Sequence, residues 1–183
     1  MIKQSVAKLA YARVPKTART IDRDYYGTPP QYVDMAREVM DGITLDPASC
    51  EEANRRFVRA RRYYSREDDG LSKSWRTAKL WLNPPYSGKG CYEFARKFNS
   101  EAPGISQAIV LVNSATGTRA FRYLFDACDA ICFCSRRIQF INTNGEMSQM
   151  SNTKEQLFFY RGSQVERFRS VFGTIGKVVR TQW

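Results

Sequence analysis

A chain of 183 residues with 43% hydrophobic residues is sized for one domain with a real core, which excludes a wholly disordered chain. Its longest apolar runs, such as Ala108-Ile109-Val110-Leu111-Val112, are too short to cross a bilayer. The first residues are basic and scattered, not an apolar signal region, so a soluble intracellular protein without a membrane partner is expected. The 29 Lys and Arg against 18 Asp and Glu leave a net charge of +11; a polyanionic partner accounts for that excess through counterion release, a surface kept basic for solubility being the plainer account. There is no histidine, and the five cysteines (Cys50, Cys91, Cys128, Cys132, Cys134) form no Cys-x-x-Cys pair. Free thiols, no metal site and chemistry without imidazole follow.

In chain order, residues 1–22 form a basic arm carrying Lys3, Lys8, Arg13, Lys16 and Arg19, either a phosphate contact or a loose tail; 23–183 are expected as one domain. Thr28 can cap a helix that opens on Pro29, and Tyr32, Ala36, Val39 and Met40 share one face, predicting a helix over 29–41. Ile43-Thr44-Leu45 reads as a strand stopped at Asp46-Pro47. Ser49 and Glu52 have capping-box spacing, so a helix through about Arg59 should follow. This stretch is strongly basic, with Arg55, Arg56, Arg59, Arg61 and Arg62. Tyr63-Tyr64 is a second strand and Asp68-Asp69-Gly70 a turn. Leu80-Trp81-Leu82 is a third strand, ended by Asn83-Pro84-Pro85-Tyr86, because two prolines cannot continue a central strand. A glycine-rich loop over 87–90 leads to a helix near 91–101. Residues 107–113 read as a strand buried on both faces, followed by a helix near 118–127 and a strand over 130–134. Arg137 to Ile141 alternates and Asn142-Thr143-Asn144-Gly145 turns, predicting a hairpin. Leu157 to Tyr160 is a late strand. The sum is an α/β three-layer sheet with an antiparallel edge hairpin. Ligands bind such sheets at the carboxyl ends of strands, where Asp46 and Asn83 both fall.

Asn83-Pro84-Pro85-Tyr86 suits the methylation of an aromatic amine. Such a nitrogen is a poor nucleophile because its lone pair is delocalised into the ring. Two acceptors holding its two N–H bonds favour a pyramidal nitrogen. The Asn83 side-chain oxygen is one acceptor and the Pro84 carbonyl, aimed by a fixed φ, is the second. Tyr86 offers a flat face to an extruded base. Asp46-Pro47-Ala48-Ser49 puts a carboxylate before a helix N-terminus, where it can take an ammonium or ribose hydroxyls; it reads equally as an Asp-Pro turn with a capping box. No Gly-x-Gly-x-x-Gly follows, which disfavours a nicotinamide dinucleotide. Asp68 or Asp69 can accept an adenine amino group, or form a solvated acidic turn. Thr28-Pro29-Pro30 can set a hydroxyl and amides against a carboxylate, or cap a helix. Arg136 and Arg137, with Arg119 and Arg122 in the preceding helix, can grip phosphate or read guanine edges, or form a solvated face.

Together and in this order, Tyr26-Gly27-Thr28-Pro29-Pro30, Leu45-Asp46-Pro47-Ala48-Ser49, Glu51-Glu52-Ala53-Asn54, Arg62-Tyr63-Tyr64, Asp68-Asp69-Gly70-Leu71 and Trp81-Leu82-Asn83-Pro84-Pro85-Tyr86 resemble the phage-type, Dam-like DNA N6-adenine methyltransferases of phages and prophages. Thr118-Arg119-Ala120-Phe121 and Arg137-Ile138-Gln139-Phe140 match more weakly. The resemblance spans about 24–162 and implies a class I methyltransferase (Rossmann-like) fold. It also implies S-adenosyl-L-methionine as methyl donor with no metal, double-stranded DNA as substrate and the cytoplasm of a bacterial host as location. It assigns catalysis to Asn83, Pro84, Pro85 and Tyr86. The cofactor falls to Tyr26, Thr28, Pro29, Asp46, Pro47, Ala48, Asp68 and Asp69, and nucleic acid to Lys89, Arg119, Arg136 and Arg137. Around Asn113 to Gly117 the chain departs from the arginine- and aspartate-bearing pattern of that family. The competing readings are a methyltransferase acting on RNA bases or a protein glutamine amide, and a catalytically dead nucleic-acid-binding homologue.

Overall fold

The computed structural model describes residues 27–141 and 152–181. The basic stretch 1–22, Tyr26 and the turn expected at 142–145 lie outside the described residues. Helix α1 (Pro30–Met40) precedes β1 (Leu45–Asp46), a short helix α2 (Glu51–Ala53) that widens into a π-helical turn (Asn54–Val58), β2 (Arg62–Tyr63) and β3 (Thr77–Leu82). Then come α3 (Gly90–Glu101), β4 (Ile105–Asn113), α4 (Arg119–Ala127), β5 (Ala130–Cys134), β6 (Gln156–Arg161), α5 (Val165–Phe172) and β7 (Gly176–Arg180). The strands form one sheet in the order β2-β1-β3-β4-β6-β5-β7. The first four are parallel, while β6 runs against β4 and β5, and β7 against β5.

Successive residues of a strand point to opposite faces, and here that alternation feeds two apolar layers. Trp81, Ile109, Leu111, Phe158 and Tyr160 pack with Val33, Ala36 and Met40 of α1 and Phe168 and Phe172 of α5. Leu80, Leu82, Val110, Val112 and Phe159 pack on the other side with Phe94 and Phe98 of α3 and Leu124 of α4. This is the expected three-layer α/β sheet, and β4 is buried on both faces as its unbroken apolar run predicts. Phe158, fully buried, meets the rings of Tyr32, Trp81 and Phe172; truncating such a ring costs about 3–5 kcal/mol.

The winding fixes where a ligand belongs. From β1 the chain moves outward to β2, then returns to β3 on the other side of β1. The carboxyl ends of β1 and β3 therefore flank a topological switch point, the crevice that open α/β sheets use for ligands.

Several local expectations are corrected. Helix α1 starts at Pro30 with Pro29 as its N-cap and no side-chain cap; the Thr28 hydroxyl is engaged elsewhere. The cap of α2 is Cys50, whose sulfur accepts from the Ala53 N–H at 3.5 Å, so Ser49 and Glu52 make no capping box and Glu52 pairs with Arg55 and Arg56. The helical segment itself runs to Val58, close to the expected end, with Arg37 donating to the Phe57 and Val58 carbonyls at 2.5 and 2.7 Å. Asn54 also clamps Ala60 in both directions, around Arg59 in left-handed backbone. Residues 137–140 form no strand: the Ile138 N–H donates to Gln156 Oε1 at 2.9 Å, and only Ile141 bridges, antiparallel, to Gly27. The alternation there records burial of Ile138, not a hairpin ladder. The antiparallel part of the sheet is supplied by β6 and β7. Helix α5 and β7 have no counterpart in the sequence reading, although Val165, Phe168 and Phe172 stand at helical spacing.

Candidate active site

Asp46 ends β1 and is only 3% exposed. Its Oδ1 accepts from the Ala48 N–H at 3.1 Å, and among the described residues no cation pairs with it. Burial pushes its carboxyl up to about 7, against smaller opposing effects of the Ala48 N–H and the Ser49 hydroxyl. Among the described residues Ser49 Oγ and Asp69 Oδ1 are buried atoms without a hydrogen-bond partner of regular geometry. The two segments touch, since a Cβ on Gly70 would stand 2.0 Å from the Pro47 carbonyl oxygen. Trp75 Nε1 fixes the turn by donating to the Gly70 carbonyl at 2.7 Å. Asp69 sits in left-handed backbone at φ 53°. Asp68 is different: it is exposed, and its Oδ2 accepts from the Ser65 N–H and hydroxyl, both at 2.9 Å. These bonds hold its carboxyl below the usual range. Of the two neighbours, Asp69 retains the unused buried acceptor. Pro47 is buried and Ala48 half-buried.

Asn83 follows β3 on the same rim, β1 and β3 being neighbours with Leu45 opposite Leu80. Its Nδ2 donates to Thr28 Oγ1 at 3.2 Å. Its Oδ1 lies 3.3 Å from the Tyr86 hydroxyl, which is also 3.3 Å from the Leu111 carbonyl. A phenol has one proton, so it donates to one of these acceptors at a time. Tyr86 is half-buried as a residue with its hydroxyl end inside. Burial, then the neighbouring Cys91, pushes that hydroxyl well above its ordinary value, so it stays a phenol. Pro84 and Pro85 are buried. A Cβ on Gly90 would fall 2.6 Å from the Pro85 carbonyl oxygen, which is why α3 can begin so close to this loop. Thr28, 4% exposed, thus meets Asn83; Pro29 beside it is buried.

The candidate phosphate contacts are spread along the rim. Lys89 is exposed just before α3, and Arg119 is exposed at the start of α4. The Arg119 guanidinium lies over the Tyr92 ring at 5.1 Å, and Tyr92 faces Tyr123 at 5.9 Å. Both helices follow parallel strands, so their first residues share the carboxyl edge with Asn83. Arg136 and Arg137 are exposed, but Arg137 donates through Nε and an Nη to Glu155 at 3.1 and 2.9 Å, leaving Arg136 the freer charge. In the 55–62 group, Arg55 and Arg56 are countered by Glu52, and Arg59 by Asp34 at 3.5 Å. Two features have no place in the sequence reading of the site. One is the Ser49 hydroxyl, absorbed there into a helix cap. The other is Gln156, a buried strut from Ile138 to the Asn113 side chain, for which no local pattern gives a signal. Among the described residues no group of three His, Cys, Asp or Glu side chains is arranged to hold a metal, all five cysteines are free, and no helix is long and apolar enough to cross a membrane.

A family model described as DNA N-6-adenine-methyltransferase (Dam) matches residues 16–181. No curated protein matches the chain.

Proposed function

The chain belongs to the DNA N-6-adenine-methyltransferase (Dam) family, with its Rossmann-like class I fold, and on that premise we propose that it methylates adenine N6 at a defined site in double-stranded DNA, using S-adenosyl-L-methionine. The observation that carries this reading is the pairing, across the switch point, of Asn83-Pro84-Pro85-Tyr86 with a buried carboxylate that has no cation beside it among the described residues.

The donor set suits the cofactor. Among the described residues Asp46 is a buried acid without a cationic partner, and Ser49 Oγ and Asp69 Oδ1 are buried without hydrogen bonds. A ligand bearing an ammonium, hydroxyls and an amino group would satisfy all three. S-adenosyl-L-methionine supplies an electrophilic methyl group when bound. The protein's part is to hold and orient. Asn83 Oδ1 and the Pro84 carbonyl would take the two N–H bonds of the target amine and Tyr86 would offer its ring to the extruded base. The amine would attack the methyl group without prior removal of a proton, the methyl–sulfur bond breaking as the methyl–nitrogen bond forms to leave S-adenosyl-L-homocysteine. The methylated nitrogen would then release one proton to solvent. Lys89, Arg119 and Arg136 are assigned to the phosphate backbone. The expected setting is the cytoplasm of a bacterial host.

Incubation with duplex DNA lacking adenine methylation, then nuclease digestion and mass spectrometry, tests the proposal. N6-methyladenine is expected; methylcytosine as the only product would overturn it, and so would methylation confined to RNA or protein.

A further inference from the structure

We propose that Thr28 is a positioning residue whose buried hydroxyl anchors the Asn83 amide in place for the target amine. This rests on the reading of Asn83 as an acceptor for that amine. A primary amide serves an incoming amine only while its oxygen is held at the right place. A threonine hydroxyl both donates and accepts, so it holds the amide without choosing which end faces it. The anchoring must come from the neighbours of Asn83.

The geometry assigns that anchoring to Thr28. Nδ2 donates to Thr28 Oγ1 at 3.2 Å, while Oδ1 is on the side of the Tyr86 hydroxyl at 3.3 Å. Tyr86 alone is a weak anchor because it shares its proton with the Leu111 carbonyl. Thr28 is 4% exposed, so water does not readily replace it as the acceptor. Its own place is fixed on both sides. Gly27 exchanges two backbone hydrogen bonds with Ile141, at 2.8 and 3.0 Å. Pro29 follows with φ −52° as the N-cap of α1. Gly27 is also closely packed, a Cβ there meeting the Phe57 ring at 3.0 Å. The hydroxyl that might have capped α1 is held for the amide instead, and α1 starts without a side-chain cap.

The test uses the full chain with Thr28→Val, which keeps the shape and removes the acceptor, and Thr28→Ser, which keeps the acceptor and removes the methyl group. Thr28→Cys, a weaker acceptor of similar size, serves if the valine variant does not fold. Two quantities are measured: kcat for methyl incorporation into adenine-methylation-free bacterial genomic DNA, and Kd for S-adenosyl-L-homocysteine by calorimetry. The valine or cysteine variant is expected to lose about tenfold to hundredfold in kcat, the scale of a misplaced reacting group, at unchanged Kd, and serine to restore most of it. Full kcat in the valine variant would overturn the proposal. So would a kcat loss equal in valine and serine, which would mark packing by the methyl group, and so would lost affinity at retained kcat, which would place the hydroxyl on the cofactor. Asn83→Ala runs in the same assay: retained turnover there would remove the reading of Asn83 on which the proposal rests, whatever Thr28 does.

Discussion

If Asp46 holds the cofactor's ammonium, as proposed, cofactor affinity and stability should run in opposite directions with pH. Its carboxyl is buried and raised from an ordinary 3.8 to about 7. In the cofactor-free protein it is therefore largely protonated below about pH 7, and binding a cation there must expel that proton. Affinity should then fall about tenfold for each pH unit below the raised value. A window of about pH 5.5 to 7.5 keeps the ligand's α-amino group charged, since such groups titrate at about 7.7–8.0. Stability follows the linkage for an acid whose folded pKa is raised: it is fully present below the unfolded value and lost as pH rises toward the folded one. A shift of about three units at ~1.4 kcal/mol each gives a loss on the order of 4 kcal/mol by neutral pH. Asp46→Asn removes the titration, so at pH 8 it should melt above the wild type, by at most roughly 16 °C for a chain of this size, while binding S-adenosyl-L-homocysteine far more weakly. The two proteins should converge in stability near pH 4. Calorimetry with that ligand across the window, in two buffers of different ionisation enthalpy, reads both affinity and proton release; thermal melts read the rest. An affinity flat from pH 5.5 to 7.5, or an asparagine variant that binds like the wild type, would refute the assignment.

Asn83→Ala should cut kcat by about 10²–10³-fold, the scale of losing one pre-organised hydrogen-bond partner, with S-adenosyl-L-homocysteine affinity near normal, whereas Asp46→Ala should weaken that affinity first; equal affinity losses in both would contradict the division of roles. If about six phosphates are contacted, log K for duplex DNA should fall against log salt with a slope of about −5, and Arg136→Ala should reduce the slope by roughly one. Arg137→Ala should change it less, because Glu155 already holds that guanidinium; filter binding over a salt series separates them, and an unchanged slope for Arg136→Ala would leave that residue a solvated charge. Gly70→Ala should cost about 1–3 kcal/mol and loosen cofactor binding, because its Cβ would stand 2.0 Å from the Pro47 carbonyl oxygen; thermal melts and calorimetry check it, and wild-type values in both would show that the two loops move independently.

What the sequence made legible was whatever local chemistry decides alone. Pro84 and Pro85 must end a strand wherever they are. The apolar run of β4 needs cover on both faces. A carboxylate at the end of β1 and an amide after β3 fall on one rim once the strands are parallel. What stayed hidden depends on distant partners. Thr28 and Pro29 carry every local sign of a capped helix start, yet the hydroxyl answers to Asn83, 55 residues away. Ile138 and Phe140 alternate as a strand would, yet the Ile138 N–H goes to a glutamine side chain on β6. Of Asp68 and Asp69, no spacing rule tells which is spent on its own turn and which is left with a bare oxygen. The packing of Gly70 on Pro47 brings that turn against the end of β1.

The two halves of the rim differ in how complete they are without ligands. On the base side, the Asn83 amide and the Tyr86 phenol already have partners in Thr28 and Leu111. On the side proposed for the cofactor, among the described residues, Asp46 keeps one regular hydrogen bond, to the Ala48 N–H, and Ser49 and Asp69 each bury an unmet polar atom. Each such atom costs about 1–3 kcal/mol, and the left-handed backbone of Asp69 adds about 1–2 kcal/mol. A ligand that meets these groups recovers energy already spent in folding. One arriving at Asn83 displaces only the long contact from Tyr86. On the proposed assignment this asymmetry suits catalysis. Acceptors for an extruded base would act by position and be set before the base arrives, whereas a cofactor site would act by affinity and gain most where the empty site is least satisfied.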